Sequence, residues 1–444
     1  MLTAAGFLTL ALVILITLVW LHDKGFHRGL RISLMFAFLL VPWWLQVQVR
    51  SIEMNAATTV GLTVLAIALF RPFQGLTTRW IFADLIVGLL VATTVISDLN
   101  NKILIPTRSL EVALTWLLPY VMGRLFIQKP EDLLSVLPYL CIFVLLIGGY
   151  ALVEAFGKKN VLADLLGMKW ERASDAELYR WGLLRARGHT THPIYFGLLM
   201  VLVLPWLLLA SRQTMRGYGQ DWWIATIPLA ALATFVTVSR AAQLAMGIVF
   251  GADLFFRHPR WRAPMFLMAL VAFGGFVAFR AEILDALSKY AGETDTAEHF
   301  VVIEGKKHPY SGTLHRDLLD LVYARAIDEC GWFGYGSTLK DIPVDSRMDE
   351  RFKSIDNHYL KILIINGYVG VFTLAVLIAL GCFYLAAEAL YGGYPVRDWA
   401  GGMFGAFLAV AIALRGVAFE PDFSCFWMFT IGVAGSLRTA RLRK

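Results

Sequence analysis

The chain consists mainly of long apolar runs separated by short polar connections. Most runs have roughly the 17 to 25 residues that a helix needs to cross the hydrocarbon core of a bilayer, and such runs are typical of transmembrane helices. Thirteen segments can be distinguished, with approximate spans 5–21, 30–49, 56–70, 80–97, 110–127, 133–156, 193–210, 222–238, 241–256, 263–280, 358–387, 401–419 and 423–437. The pattern predicts an all-α polytopic membrane protein with about 12–13 transmembrane helices.

Composition supports this interpretation and excludes some partners. Of the 444 residues, 58% are hydrophobic and 16% are charged, and the mean hydropathy is +0.63. The net charge is +7, but no basic cluster stands on a soluble domain, so nucleic acid is not expected as a partner. Four cysteines lack metal-ligand spacing, and they indicate neither a metal centre nor a disulfide framework. They are Cys141, Cys330, Cys382 and Cys425.

Basic residues are concentrated in every second connection between the apolar segments. This basic set comprises Lys24, Arg28, Arg31, Arg71, Arg79, Arg124, Lys129, Arg212, Arg216, Arg257, Arg260, Arg262, Arg397 and the tail residues Arg438, Arg441, Arg443 and Lys444. The positive-inside rule places these connections and the C-terminus in the cytoplasm, and with thirteen spans the N-terminus lies outside. If a short segment such as 56–70 is re-entrant, the connections on one side of it change sides.

Two long connections, 157–192 and 281–357, then lie outside the membrane. Loops of this length are usually functional or independently folded. The larger one contains an amphipathic run from Leu314 to Ile327, which predicts a helix lying flat on the outer face of the membrane. The chain thus divides into transmembrane helices 1–156, an external loop 157–192, transmembrane helices 193–280, a large external loop 281–357, and C-terminal transmembrane helices with a basic tail, 358–444.

Candidate chemistry is expected on the outer side. Arg240 follows Ser239 at a tight junction between two segments and begins a helix. A helix N-terminus attracts anions, so an arginine there either binds an anion together with the helix end or extends towards the membrane interface. Arg415 lies near the end of segment 401–419 and is either functional or paired with Glu420 or Asp84. Placing an arginine within an apolar membrane helix costs at least about 2.5–3.5 kcal/mol of free energy unless the side chain is paired or solvated.

Further cationic side chains precede membrane segments or lie in the large loop. The first long connection ends with Arg185, Arg187, His189 and His192, which would form a cationic rim at the membrane. His192 followed by Pro193 is also compatible with ordinary helix capping. His315 and Arg316 begin the amphipathic run of the second long connection.

The sequence Asp356-Asn357-His358-Tyr359 begins the eleventh apolar segment. Asp356 or His358 could act as a general base that takes a proton from an attacking hydroxyl group. Alternatively, Asp356 and Asn357 cap the helix, which would leave His358 in the first turn without a role.

Elimination narrows the class of ligand. Arginines suit a phosphate-bearing molecule, but the chain has neither a Walker motif nor an Asp-x-Asp sequence. A metal-bound nucleotide-sugar donor is therefore not favoured, and no metal or other cofactor is expected. The remaining candidate is a lipid-linked phosphate donor, which would reach the site from the membrane.

Several motifs resemble those of the superfamily of O-antigen ligases and O-antigen or exopolysaccharide polymerases. The resemblance covers about residues 180–380. It consists of Arg187-Gly188, His192-Pro193-Ile194-Tyr195-x-Gly197, Ser239-Arg240-x-x-x-Leu244, Arg316, Gly334-x-Gly336 and Asp356-Asn357-x-Tyr359-Leu360 followed by Gly367 and Gly370. Each motif is weak alone, but their order makes the match more specific.

The resemblance implies a GT-C-like helical glycosyltransferase of the bacterial inner membrane with its active site on the periplasmic side. It also implies metal-independent transfer of a glycan from undecaprenyl diphosphate, with the arginine matching Arg240 at the donor diphosphate. Expected substrate-binding residues are Arg185, Arg187, His189, His192, Arg316, Asn357, Tyr359 and Arg415, and Arg240, Asp356 and His358 are the expected catalytic residues. Membrane lipids, a flippase and chain-length regulator proteins are the further partners to expect.

One departure from the ligase pattern indicates the type of enzyme. In the ligases a histidine stands eleven residues before the glycine that matches Gly367, whereas this chain has Asp356 there. Polymerase-like members commonly have Asp-Asn at this point. A polymerase that acts on lipid-linked repeat units is therefore favoured. The alternatives are a ligase that moves polymer to lipid A-core or another surface acceptor, and a transporter or flippase for lipid-linked glycans.

Overall fold

The computed structural model describes thirteen stretches of the chain. These are residues 2–49, 52–70, 79–103, 106–166, 179–279, 282–283, 286, 300–303, 306–309, 315–339, 342–344, 352 and 354–441. Leu314, the predicted start of the amphipathic run, lies outside them.

Helices make up most of the described chain, together with three short antiparallel hairpins. In the N-terminal part the helices are α1 Leu2–Asp23, α2 Phe26–Leu39, α3 Ala56–Phe70, α4 Phe82–Asn100, α5 Pro106–Val112, α6 Leu118–Phe126, α7 Asp132–Ser135, α8 Leu137–Gly157 and α9 Val161–Leu165. A π-helical segment, Ala113–Leu117, joins α5 to α6. The hairpins pair β1 Val47–Val49 with β2 Ile52–Met54, β3 Tyr179–Arg180 with β4 Leu183–Leu184, and β5 Phe300–Ile303 with β6 Lys306–Pro309.

The second half of the chain contains the longest helices. They are α10 Pro193–Met215, α11 Thr226–Phe235, α12 Arg240–Arg257, α13 Arg262–Ala278, α14 His315–Val322, α15 Ala324–Glu329, α16 His358–Tyr391, α17 Val396–Ala413 and α18 Pro421–Arg441. Short 3-10 turns, Asp221–Ala225 and Pro259–Trp261, precede α11 and α13.

The prediction of an all-α membrane protein is confirmed at this level. Every predicted apolar segment overlaps a helix. In the described part of the chain, seven helices are long and apolar enough to cross a membrane: Ala4–Asp23, Phe82–Asn100, Leu137–Gly157, Pro193–Met215, Pro259–Ala278, His358–Tyr391 and Val396–Ala413. The protein is therefore a multi-pass membrane protein.

Two predicted segments end earlier than expected. Segment 30–49 stays helical only to Leu39, and Pro42 follows, which disfavours helical backbone in the residue before it. Segment 401–419 ends as a helix at Ala413, after which the chain turns through Arg415 and Gly416. Arg415 therefore lies in a turn beyond the membrane helix, so the predicted cost of placing it within an apolar helix does not apply.

The amphipathic run of the large loop also differs from its prediction. It forms two helices, α14 and α15, that meet at Tyr323. Its apolar side chains Leu318 and Leu319 are buried in a small second core with Phe352 and with Leu360 of α16. The run therefore packs against the start of a membrane helix.

The described parts of both long connections lie at one end of the helical bundle, which we call the loop face. The Ala186 N–H donates to the Val236 carbonyl at 3.0 Å, and the Trp43 N–H donates to the His189 carbonyl at 2.8 Å. From the second connection, the Gly334 carbonyl accepts from the Asn101 side chain at 2.9 Å.

At the opposite end, the basic face, arginines of the basic set pair with acids. Arg31 pairs with Asp132 at 3.0 Å and Arg124 with Asp84 at 3.1 Å. Other pairs there are Arg212 with Asp253, Arg216 with Asp398, and Arg438 and Arg441 with Glu388. A buried charge is costly without a partner, so these acids stabilise arginines that lie partly within the protein.

A sharp kink in α16 joins the large loop to the membrane helices. Gly367 has a φ of +65°, which interrupts the helix. The Ile364 and Ile365 carbonyls accept from the N–H groups of Tyr335 and Gly336 at 2.8 and 3.0 Å. In return, residues 331 and 332 accept from the N–H groups of residues 368 and 369. The loop thus supplies the hydrogen bonds that the kink removes.

We expect Gly367→Ala to destabilise the protein by about 1–3 kcal/mol, because a left-handed backbone is strained for alanine and the added Cβ would overlap the Trp332 carbonyl. Gly149→Ala is the matched control, since Gly149 is helical and nothing lies within 4 Å of an added Cβ. Thermal unfolding in detergent, followed by tryptophan fluorescence, should give a lower midpoint for Gly367→Ala only. Equal midpoints would contradict the proposed importance of the kink.

Candidate functional site

Three arginines from separate parts of the chain line one cavity at the loop face. Arg240, Arg316 and Arg415 border a space of about 330 Å³ together with Asp317. Its other walls are mainly apolar and come from α10, α12, α13 and α17, including Ile194, Leu244, Ile248, Phe276 and Ile412. We call this space the arginine cavity. It combines positive charge with apolar walls.

Local backbone geometry places Arg240 at this cavity. The chain leaves α11 through a tight turn in which Val238 has a φ of +48°, and Ser239 is extended. Arg240 is therefore the first residue of α12 and stands where the N–H groups of that helix point towards the loop face. A helix N-terminus carries partial positive charge, so Arg240 and the helix end both favour an anion in the cavity.

The other two arginines arrive from the large loop and from the turn after α17. The Arg316 guanidinium lies against Gly416, because a Cβ at Gly416 would be 2.7 Å from its Cζ. Arg415 pairs with Asp320 at 3.6 Å. Of the two alternatives for Arg415, pairing with Glu420 or Asp84 was wrong, since Asp84 binds Arg124 and Glu420 accepts a hydrogen bond from Thr191.

The predicted cationic rim is only partly brought together. Arg185 is buried, and its Nε donates to the Thr237 carbonyl at 3.3 Å. Glu154 accepts from the N–H groups of Arg187 and Gly188 at 3.2 and 2.8 Å, which fixes the loop. His189 points into the protein, where its Nε2 lies 3.0 Å from the Phe38 carbonyl. The structure thus places His189 as a contact between this loop and α2, away from the arginine cavity.

His192 is the N-cap of α10, and its Nδ1 accepts from the Ile194 N–H at 3.1 Å. Burial, followed by the charges of Arg185, Arg187 and Arg180, lowers the pKa of His192 to about 3. Burial lowers the pKa of His189 to about 4. Both imidazoles are therefore neutral near pH 7, and the positive charge in this region comes from the arginines.

The four residues from Asp356 to Tyr359 take four different environments. Asp356 is exposed and accepts from the Ser354 hydroxyl at 2.8 Å. Asn357 caps α16 by accepting from the Leu360 N–H at 3.2 Å, so this part of the capping prediction is confirmed. The Tyr359 hydroxyl donates to the Ala411 carbonyl at 2.6 Å, which directs Tyr359 towards α17.

His358 is buried in a second cavity at the loop face. Its ring stacks on Trp116 with centroids 5.9 Å apart, and its Nδ1 accepts from the Phe419 N–H at 3.3 Å. The cavity has a volume of about 250 Å³, and we call it the histidine cavity. Its polar lining residues are Thr94, Arg108, Glu111, Thr115, Ser337, His358, Lys361, Asn366 and Ser424.

A short segment, residues 414–421, separates the two cavities. Arg415, Gly416 and Val417 line the arginine cavity, and Phe419 and Pro421 line the histidine cavity. Glu420 stands between Phe419 and Pro421, on the side of the histidine cavity, and interacts electrostatically with Lys361 and Asp356. Burial raises the pKa of Glu420 above its usual range. The segment therefore brings an acidic group and the two cavities close together.

Sequence reasoning assigned no role to Lys361, and it considered Glu420 only as a partner of Arg415. The available signal was a lysine one turn into an apolar helix, because such a residue usually faces a cavity or a partner. Among the described residues, no group of three or more His, Cys, Asp and Glu side chains is arranged to hold a metal ion.

Comparison with models of known protein families finds no match to this chain, and no curated protein matches it. The resemblance to O-antigen ligases and polymerases therefore stays a prediction from the motifs.

The buried histidines predict how stability depends on pH. Their pKa values are lower in the folded protein than the ordinary 6.5, so the unfolded chain binds more protons. This contribution to stability is complete above about pH 6.5 and is lost as the pH falls towards 4 and 3. His192→Asn keeps a capping side chain but cannot titrate, so we expect a smaller loss of stability between about pH 7 and pH 5.

His22→Asn is the control for this measurement, because His22 is 90% exposed at the end of α1. Unfolding midpoints across the pH range should give wild-type behaviour for His22→Asn and a shallower slope for His192→Asn. A wild-type slope for His192→Asn would show that folding does not lower the pKa of His192.

Proposed function

We propose that this protein is a bacterial polysaccharide polymerase. It would transfer a glycan from undecaprenyl diphosphate to a sugar hydroxyl of another lipid-linked repeat unit on the periplasmic face of the inner membrane. All thirteen apolar helices would belong to a GT-C-like membrane domain, with residues 281–357 as its large external loop. The observation that carries the proposal is the convergence of Arg240, Arg316 and Arg415 on one cavity with apolar walls.

The arginine cavity suits a diphosphate attached to a lipid. Guanidinium groups bind phosphate oxygens through directed, charge-assisted hydrogen bonds. The apolar wall includes Phe276 of α13, a helix without a buried residue, so a lipid chain could reach the cavity along α13. Positive charge held in a low-dielectric site stabilises a leaving group on which negative charge develops.

In the proposed reaction, the acceptor hydroxyl oxygen attacks the anomeric carbon of the donor. A new glycosidic bond forms while the bond from the anomeric carbon to the diphosphate oxygen breaks, and its electron pair leaves with undecaprenyl diphosphate. A general base takes the proton of the acceptor hydroxyl. The arginines neutralise the charge of the departing diphosphate.

Between the two candidate bases, we favour Asp356. The His358 Nδ1 accepts a hydrogen bond from the Phe419 N–H, so the proton of a neutral imidazole is assigned to Nε2. In that form His358 can donate a hydrogen bond but cannot take a proton at Nε2. Asp356 is exposed at the loop face and interacts electrostatically with Lys361, which lines the histidine cavity.

A ligase remains the second candidate, because the same two cavities would serve transfer of finished polymer to lipid A-core or another surface acceptor. A transporter or flippase for lipid-linked glycan is the candidate from another class. The polar groups that line the two cavities gather at the loop face and not halfway along the helices. This position favours an enzyme over a transporter. Flippase and chain-length regulator proteins would be its partners in the membrane.

Arg240→Ala should abolish polymerisation and leave single, unpolymerised repeat units, because the leaving diphosphate loses its main stabilising charge. Arg257→Ala is the matched control, since Arg257 is an exposed arginine at the other end of the same helix. The measurement is mass analysis of glycans formed by purified protein and a defined lipid-linked repeat. Polymer of normal length from Arg240→Ala would contradict the proposal.

Asp356→Asn should lower kcat by about 10²- to 10⁴-fold if Asp356 is the general base. His358→Phe keeps an aromatic ring beside Trp116 but removes the Nε2 donor, so it should raise the KM for the acceptor and change kcat much less. Kinetics at varied acceptor concentration separate the two effects. A larger loss of kcat in His358→Phe than in Asp356→Asn would identify His358 as the base.

A further inference from the structure

Two buried polar side chains that line the histidine cavity each have an atom without a hydrogen-bond partner among the described residues. His358 and Asn366 both line it, with exposed fractions of 3% and 1%. Within the described part of the chain, neither the His358 Nε2 nor the Asn366 Oδ1 has a hydrogen-bond partner. A buried polar atom without a partner costs about 1–3 kcal/mol, so this cavity has unused capacity to bind a polar molecule.

The two atoms have complementary roles. His358 presents an N–H donor at Nε2, because its Nδ1 accepts from Phe419. The Asn366 amide nitrogen donates to the Thr94 hydroxyl at 2.8 Å, which leaves its oxygen as an acceptor. A ligand that satisfies both needs one group that accepts and another that donates. Hydroxyl groups do both.

The walls of the cavity suit a ring with an apolar face. Trp116, Ile362, Ile365 and Phe419 supply hydrophobic surface, and Trp116 and Phe419 lie directly beside His358. Trp116 and Thr115 belong to the π-helical segment Ala113–Leu117, and π-helical turns inside α-helices occur frequently at functional sites. Mostly apolar walls with a few placed polar groups are the usual form of a small-molecule site.

Charge distinguishes this cavity from the arginine cavity. Arg108 pairs with Glu111 at 2.7 Å, and Glu53 interacts electrostatically with both. Lys361 interacts electrostatically with Glu420 and Asp356. Positive and negative groups are thus mixed here, whereas three arginines and one aspartate line the other cavity. An anion is favoured in the arginine cavity, and a neutral polyhydroxyl molecule in the histidine cavity.

We propose that the histidine cavity binds a sugar ring of the acceptor glycan. One hydroxyl accepts from the His358 Nε2–H, another donates to the Asn366 oxygen, and the ring packs against Trp116. This assignment rests on the proposed function, since it names the site of the second substrate. It places the acceptor next to residues 414–421, on whose other side the arginine cavity lies.

The test measures sugar binding separately from glycosyl transfer. The probe is the soluble repeat-unit oligosaccharide, released from its carrier lipid and titrated calorimetrically into the full-length protein in detergent. Asn366→Leu removes the acceptor atom. Lys361→Met removes the ammonium that lines the cavity. This group interacts electrostatically with Glu420, Asp356 and His358, and methionine keeps an unbranched side chain there, so this variant should fold normally. Thr373→Val is the matched control, because Thr373 is buried in the same helix and bonds only to the Val369 carbonyl.

Wild type and Thr373→Val should bind the oligosaccharide equally, and Asn366→Leu should weaken binding about tenfold, as loss of one buried hydrogen bond predicts. Lys361→Met should also weaken binding, because the Lys361 ammonium lines the cavity and is a hydrogen-bond donor for sugar hydroxyl groups. Equal binding by all four proteins would overturn the assignment of the cavity. Failure of the wild type to bind would overturn it as well, and would mean that the cavity holds only water.

These results are separable from those for the proposed function. If the oligosaccharide does not bind but purified protein still polymerises lipid-linked repeats in an Arg240-dependent manner, only the acceptor site is wrong. If the oligosaccharide binds as expected but no glycosyl transfer occurs, the sugar site stands and the polymerase proposal falls.

Discussion

The kink of α16 at Gly367 is the constraint on which the geometry of the site depends. Backbone groups at membrane depth must be satisfied inside the protein, and here the loop at residues 331–336 satisfies them. Ser97 of α4 adds a hydrogen bond to the Ile365 carbonyl at 2.6 Å. Three parts of the chain are therefore fixed together at one point. The same loop continues from α14 and α15, so the kink also determines where Arg316 stands relative to His358.

The segment 414–421 provides the second constraint. The segment is short, and hydrogen bonds fix it at two points. The His358 N–H donates to the Leu414 carbonyl at 2.9 Å, and the Tyr195 hydroxyl donates to the Ala418 carbonyl at 2.6 Å. Arg415 therefore cannot move far from Arg240 without disturbing the environment of His358. A rigid wall of this kind suits a reaction in which two bound molecules must meet at a fixed distance, since holding reactants in the correct geometry lowers the entropic part of the barrier.

The sequence predicted the parts of this structure that depend on strong local signals. Apolar runs of membrane length identified the helices, and Asn357 and Arg240 were placed correctly at helix starts because capping and tight turns have local signatures. The kink at Gly367 was missed, since one glycine in an apolar helix is a weak signal. Lys361, Glu420 and the Asp320 partner of Arg415 depend on contacts between distant segments, which one sequence does not reveal.

The two ends of the bundle use arginine in opposite ways, and the difference bears on function. At the basic face, Arg31 and Arg124 each have a carboxylate partner within 3.1 Å, so their charges are balanced by neighbouring acids. At the loop face, Arg240, Arg316 and Arg415 line a single cavity with Asp317, and Arg415 also pairs with Asp320. Low-dielectric walls strengthen the field of such charges and focus it on an incoming anion. In the proposed reaction, the donor diphosphate would bring its negative charge to the guanidinium groups that line this cavity.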